Sequence, residues 1–191
     1  YRGGPGGKST ATIEALQDGT YAVLLGIMDV GEGAITVLTQ IAADCLQVGV
    51  ASIQMVVGDT SQTPDSPITA GSTVTFSSGK AIIAAATTLK KRLLLKASEH
   101  FDVSSTELNF LGTKIGSGGE LSVSVRDLVG DSDGKISATE TIEPGSSDHI
   151  VNSFGAHFVK LEIDEPAGSV QIIQYIAVHD SGTIINPTLA R

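Results

Sequence analysis

Residues 20–46 read TYAVLLGIMDVGEGAITVLTQIAADCL, and the change of period inside this stretch decides the fold. Thr20 to Met28 is a β-rich apolar run, which an Asp29-Val30-Gly31-Glu32-Gly33 turn interrupts. After the turn Ile35, Leu38, Ile41, Ala42, Cys45 and Leu46 recur at steps of three and four, the apolar stripe of a helix. A helix from near Gly33 to near Val48-Gly49 is therefore expected. Working back toward the N-terminus, Gln17-Asp18-Gly19 separates this strand from a second β-rich run, Thr10 to Leu16, and Asp-Gly between two such runs marks a hairpin. Working forward, Ser52 to Val57 reads as a short buried strand, and the loop from Gly58 to Pro67 is rich in Pro, Ser, Thr and Asp. Ser72 to about Lys96 then reads as one long helix, with Ser72 as its N-cap and Lys90, Lys91, Arg92 and Lys96 toward the C-terminal end of its dipole.

The remainder is rich in strands: Leu108 to Leu111, a hairpin through Gly116-Ser117-Gly118-Gly119, a short helix near Val123 to Leu128, and Lys135 to Thr141. A mobile loop is expected at 143–148. Ala156 to Ile163 and Val170 to Val178 form a last hairpin around Asp164-Glu165-Pro166-Ala167-Gly168-Ser169. The order predicts an α+β fold: a mixed β-sheet with helices packed on one face, as a ββαβα unit at 9–98 followed by a strand-rich half at 99–191. Residues 1–8, rich in glycine, read as a flexible approach. The irregular alternation argues against a doubly wound parallel sheet.

With 191 residues, 41% of them apolar, the chain can bury a real core. Twelve basic residues face 21 acidic ones, and apart from Lys90-Lys91-Arg92 the cations are scattered, so a nucleic-acid or anionic-membrane surface is not expected. No apolar run approaches the roughly 20 residues that cross a bilayer. A single cysteine, Cys45, leaves no internal disulfide and no cysteine-rich metal site, which fits a cytoplasmic home.

Two places bring small residues to a helix start, where unpaired N–H groups and the positive dipole end favour an anion. The first is Gly31-Glu32-Gly33; the second is Thr69-Ala70-Gly71-Ser72-Thr73, which adds three hydroxyls. Neither is a Walker motif or a complete dinucleotide fingerprint. Together they could grip an extended polyanion that one alone could not. Asp131, Asp133, Gly134, Ile136, Ser137 and Glu140 imitate part of a calcium loop, but Val129 stands at its first position and Thr141-Ile142-Glu143-Pro144-Gly145 cannot be the second helix. No metal site is expected. His100, His149, His157 and His179 lack helical i, i+4 pairing, and His179-Asp180-Ser181 would point to alternate faces of a strand, so no triad forms among them. Cys45 lies on the apolar face of its helix and reads as core filling. No catalytic residue is assigned.

Gly26 to Ala34 with Thr39 to Asp44, then Gly58-Asp59-Thr60, Thr69-Ala70-Gly71-Ser72 and Gly79-Lys80-Ala81, then Ser153 to Phe158 and Ala177 to Arg191, are similar in order to the large subunits of xanthine dehydrogenase and aldehyde oxidase type molybdenum hydroxylases. The resemblance implies a molybdopterin-binding segment, the second of such a subunit. It implies a molybdenum–pyranopterin, as the cytosine dinucleotide, used to hydroxylate aldehydes or N-heterocycles. It implies as partners the rest of the large subunit and the domains or subunits that carry [2Fe-2S] clusters and FAD. Gly31, Glu32 and Gly33 would approach the pterin or the molybdenum end, and Thr69, Ala70, Gly71, Ser72 and Thr73 the pterin or its phosphate.

The family's base, a glutamate in a Gly-x-Gly-Glu stretch, has no counterpart in these residues and would lie beyond Arg191, with the other pterin loops before Tyr1. The segment alone is expected to be inactive. Glu32 stands where the family commonly has Gln or Thr, and a carboxylate beside an anionic ligand is unfavourable unless protonated or turned away. The alternative from another class is a scaffold or subunit-assembly domain that keeps the fold without the chemistry.

Overall fold

The computed structural model describes residues 6–66, 68–132, 134–145 and 152–190. Residues 1–5 of the expected approach, Asp133, His149 and part of the loop expected at 143–148 lie outside the described residues. The chain divides into two compact units, one within Pro5–Ser146 and one within Ser147–Arg191.

In the larger unit, β1 (Ser9–Leu16) and β2 (Tyr21–Leu25) form the expected hairpin, antiparallel with Ile13 opposite Val23. Asp18 shapes the turn: its Oδ1 accepts from the Thr20 N–H at 2.8 Å, and Gly19 takes φ 88°. Helix α1 (Ala34–Leu46) follows, then β3 (Ile53–Val57), which pairs parallel with β2. Helix α2 (Val74–Phe101) is the longest element. After it come β4 (Asn109–Phe110), β5 (Lys114–Gly116) and β6 (Ser122–Ser124), a small antiparallel sheet, and the short helix α3 (Val125–Gly130). Strand β7 (Lys135–Ile142) returns to pair antiparallel with β1, so the main sheet runs β3-β2-β1-β7.

Alternation along β1 separates the faces of this sheet. Ala11, Ile13 and Ala15 are fully buried beneath the helices. Their neighbours Thr10 and Thr12 point away and meet Thr141 and Thr139 of β7 through hydroxyl pairs at 2.8 and 2.7 Å. Helices thus cover one face and leave a threonine ladder on the other. The buried stripe of α2 runs Ala81, Ile82, Ala85, Ala86, Leu89, Leu93 and Ala97. The small residues let α1 approach closely: a Cβ on Gly79 would come within 3.2 Å of Ile41 Cδ1. The tyrosine of β2 reaches across to the small sheet, where the buried Tyr21 hydroxyl donates to the Gly112 carbonyl at 2.7 Å.

Both ends of the long helix differ from the sequence reading. Helix α2 continues past Lys96 because Ala97 and Phe101 extend its four-residue stripe, and it ends only where Asp102 turns left-handed at φ 53°. At the other end Ser72 is not the N-cap. Thr73 holds that position without a side-chain cap, and Ser72 sits outside the helix at φ 57°.

The smaller unit is a hairpin of β8 (Phe154–Asp164) and β9 (Ser169–Asp180), with a register shift at Lys160/Leu161. Gly168 (φ 64°) closes its tip, and Asp164 Oδ1 accepts from the Ala167 N–H at 3.1 Å. Phe154, Phe158, Leu161, Ile163, Ile172 and Val178 are exposed.

Leu89 is fully buried at the helix–sheet interface, whereas Ile83, on the outer face of α2, is 48% exposed. Leu89→Ala should lower unfolding free energy by about 2–5 kcal/mol. Ile83→Ala should cost less than about 1 kcal/mol, since little apolar area is lost from the core. Urea unfolding of the two variants checks the difference.

Candidate functional site

The two helix starts singled out in the sequence meet in space, and the pairing of β2 with β3 is the reason. These strands run parallel with Leu25 opposite Val57, so the loops that leave their C-terminal ends emerge side by side. The loop after β2 leads to α1 and the loop after β3 leads to α2. Thr69 ties them: its hydroxyl donates to the Met28 carbonyl at 3.0 Å and lies 3.4 Å from the Met28 N–H. Gly26 permits the close approach, because a Cβ there would lie 2.3 Å from the Pro64 carbonyl oxygen.

Between the loops lies an open cleft of about 340 Å³, lined by Val30 and Glu32 on one side and by Thr69, Ala70, Ser72 and Thr73 with Val74 and Thr75 on the other. Five of the eight residues expected from the sequence therefore line one cavity: Glu32, Thr69, Ala70, Ser72 and Thr73. Gly31, Gly33 and Gly71 do not line it. They shape its walls with φ of 103°, 78° and 62°, values that side chains with a Cβ resist.

The two walls differ electrostatically. At the start of α1 the amides are not bare, contrary to the sequence reading. Asp29 Oδ1 accepts from the Gly31 N–H at 2.8 Å, and its Oδ2 accepts from the Ile35 N–H at 3.1 Å. Glu32 turns back on its own loop, where Oε2 accepts from the Val30 N–H at 2.7 Å. The N–H groups of Ile35, Gly31 and Gly33 hold the Asp29 carboxyl below its ordinary range. Asp29 was absent from the sequence-derived site. An Asp two residues before a Gly is the signal that could have found it, because such side chains close a turn onto their own backbone.

At the start of α2 no side chain caps the helix and no acidic residue lies in the first turn. Its intrahelical bonding begins with the Ser77 N–H to the Thr73 carbonyl, so the N–H groups of Val74, Thr75 and Phe76 point toward the cleft end of the dipole. Of the three hydroxyls, Thr69 donates to Met28 O and Thr73 donates to Ala70 O at 2.9 Å. The Ser72 hydroxyl makes no hydrogen bond among the described residues.

The other sequence candidates have structural places. Glu140 of β7 accepts from the Thr88 hydroxyl at 2.7 Å and the Ser137 carbonyl accepts from Arg92, so this strand is committed to α2. Among the described residues no group of three His, Cys, Asp or Glu could hold a metal ion. Cys45 packs against the core, and burial pushes its thiol up. On the hairpin, His157 Nδ1 lies 2.7 Å from the Tyr175 hydroxyl and its ring lies 4.8 Å from that of His179, while Asp180 accepts from the Gly182 N–H at 3.1 Å.

Known proteins share this architecture. The family described as Molybdopterin cofactor-binding domain matches residues 2–191. The molybdenum-binding subunit of an aldehyde oxidoreductase from Escherichia coli (strain K12) is 29% identical over 96% of this chain. A putative xanthine dehydrogenase molybdenum-binding subunit from the same organism is 31% identical over 91% of it. The chain spans only 24% of the length of each. Among solved structures, a Cu,Mo-CO dehydrogenase superposes with TM-score 0.76 at 25% identity, over 95% of this chain and 24% of that one. The aldehyde oxidoreductase of Desulfovibrio gigas shares the fold, with TM-score 0.69 at 22% identity over 100% of this chain and 20% of that one.

The electrostatics of the α1 wall have a definite pH dependence. Because the folded pKa of Asp29 lies below 3.8, the turn's gain from the carboxylate is fully present above that value and is lost as pH falls through the lower folded pKa. The amide NMR shifts of Gly31 and Ile35 should stay constant from neutral pH down to about 4 and move together only below it.

Proposed function

Because the chain belongs to the molybdopterin cofactor-binding domain family, we propose that it forms one wall of the cofactor site in the large subunit of a xanthine dehydrogenase or aldehyde oxidoreductase type hydroxylase. The observation that carries this reading is the cleft where the loops after two parallel strands converge, tied by Thr69 to Met28. Its donor set suits a pyranopterin bearing phosphate. Three first-turn N–H groups and the Ser72 hydroxyl on the α2 side can hold anionic or ring oxygens. On the other wall the Glu32 carboxylate is turned onto its own loop, where Oε2 accepts from the Val30 N–H. A cleft of about 340 Å³ accommodates part of an extended pterin nucleotide rather than all of it.

When bound, the molybdenum–pterin supplies the oxidative hydroxylation of a carbon centre, and the protein supplies position and hydrogen bonds. In this segment the first turn of α2 binds the anionic portion, Ser72 orients it, and Val30 limits water at the opposite wall. In the full-length enzyme a glutamate outside these residues would serve as the base, and iron–sulfur and FAD centres on partner domains or subunits would supply the path for the electrons. Aldehydes or N-heterocycles are the proposed substrates, and the cytosine dinucleotide the proposed form of the pterin. The exposed Met28, Val30 and Ile68 beside the cleft, and the apolar residues exposed along β8 and β9, support burial of this segment against the rest of the subunit.

Two outcomes are expected. The full-length subunit, purified with its partners, contains molybdenum and pterin and oxidises an aldehyde or a purine, while the isolated 191-residue chain supplied with cofactor turns over neither. A full-length protein without molybdenum would favour the scaffold role instead. In the full-length subunit, Ser72→Gly removes the free hydroxyl at a left-handed position that glycine adopts without strain. Stability of the cofactor-free form should stay within about 1 kcal/mol of wild type. Molybdenum content, measured by inductively coupled plasma mass spectrometry, should fall; unchanged content would remove Ser72 from the site.

A further inference from the structure

We infer that Asp29 is a positioning residue for the cofactor: it never contacts the ligand, and it holds the Val30–Glu32 wall of the cleft in the binding geometry before the ligand arrives. The inference rests on the functional reading above and extends it to a residue that does not line the cleft. Both carboxylate oxygens are already used, Oδ1 on the Gly31 N–H at 2.8 Å and Oδ2 on the Ile35 N–H at 3.1 Å. One side chain therefore clamps both ends of the turn, spanning its two left-handed glycines, Gly31 and Gly33. An ordinary helix cap would come from residue 33, but that position is a glycine with no side-chain bond. Asp29 does the capping from four residues upstream, and in doing so it ties the turn at two points, Gly31 and Ile35.

Val30 and Glu32, the two cleft-lining residues of this loop, lie inside the clamped segment. Glu32 adds a second closure within it, through the Val30 N–H. Without the Asp29 clamp the two glycines free the turn to sample many conformations, and ligand binding would then have to order it at the expense of affinity. Asp29→Asn separates the two bonds. The amide oxygen can still accept from Gly31, but the NH2 group that replaces the other oxygen cannot accept from Ile35.

The test uses the full-length subunit in its assembled enzyme, comparing wild type, Asp29→Asn, Gly31→Ala, the double variant Asp29→Asn with Gly31→Ala, and Ser124→Ala. Ser124 caps α3 through the Asp127 N–H at 3.0 Å, so its loss reports a generic capping defect. Molybdenum remaining after timed incubation with a chelator gives the rate of cofactor loss, and hydrogen–deuterium exchange of the cofactor-free subunit over residues 27–37 gives the order of the turn. Asp29→Asn should lose cofactor about tenfold faster, the scale seen when a residue that orients a ligand-bearing group is removed. Exchange should rise across 30–35. Gly31→Ala, strained at φ 103°, should act through the same turn, so the double variant should lose cofactor no faster than the worse single one. Ser124→Ala should lower the melting temperature and leave the loss rate unchanged. A wild-type loss rate in Asp29→Asn, multiplicative losses in the double variant, or equal loss in Ser124→Ala would each overturn the inference. A wild-type enzyme with no molybdenum would overturn the functional reading, and this inference with it.

Discussion

Two parallel strands cannot be joined by a tight turn, so pairing β2 with β3 obliges the chain to cross back over the sheet, and α1 is that crossover. Most of the larger unit's architecture depends on this. The crossover helix must lie on the face that β1 and β2 present as apolar, and it sets the level at which α2 packs beside it through Gly79 and Ile41. The same pairing puts both loops at the C-terminal ends of neighbouring strands, where ladder hydrogen bonding ends and backbone groups are left for other partners. An antiparallel arrangement would have sent the loops to opposite ends, and no shared cleft could form.

The cleft shows how neighbouring strand ends can carry two unlike helix starts. The α1 start is filled by carboxylates that this loop provides for itself, Asp29 and Glu32, each bonded to backbone N–H groups. The α2 start keeps its first-turn donors and has no acidic residue within its first turn. In a chain with formal net charge −9, an anion gains nothing from long-range attraction. Local donors must hold it, and the uncapped α2 start offers more of them than the α1 start. Positive φ at Ser72 belongs to the same arrangement, because the chain must reverse sharply to bring α2 in beneath the loop.

Much of the fold was legible because periodicity reports burial directly. The hairpin at Asp18-Gly19, the stripe from Ile35 to Leu46 and the long helix expected from Ser72 to about Lys96 all appeared as elements near their expected places. The small-residue turns at 31–33 and 69–73 could likewise be picked out, since glycines just ahead of an apolar stripe mark a chain reversal at a helix start. Asp29 was missed because the N–H groups that donate to it are spread over six residues, and a composition-based reading credits the glycines with the open amides that Asp29 in fact occupies. Ser72 was misplaced by one position for a related reason. Ser-Thr before a helix offers two possible caps, and only the backbone angle shows that the serine has already left the helical region.

Which segments become strands and helices, and which face of each is apolar, could be read from the residues alone, because both follow from side-chain spacing along a local backbone. The order of the motifs also carried the resemblance that the family match supports. The pairing of strands, by contrast, emerged only from the folded chain. Strand β7 joins β1 across more than a hundred residues, and nothing local to Lys135–Ile142 specifies Ser9–Leu16 as its neighbour. That the two glycine-rich turns face a common cleft is equally a property of the fold, since it requires β2 and β3 to be parallel and adjacent. Strand partners are chosen by the burial of the whole sheet beneath α1 and α2, a global balance of apolar surface that no single window of sequence contains.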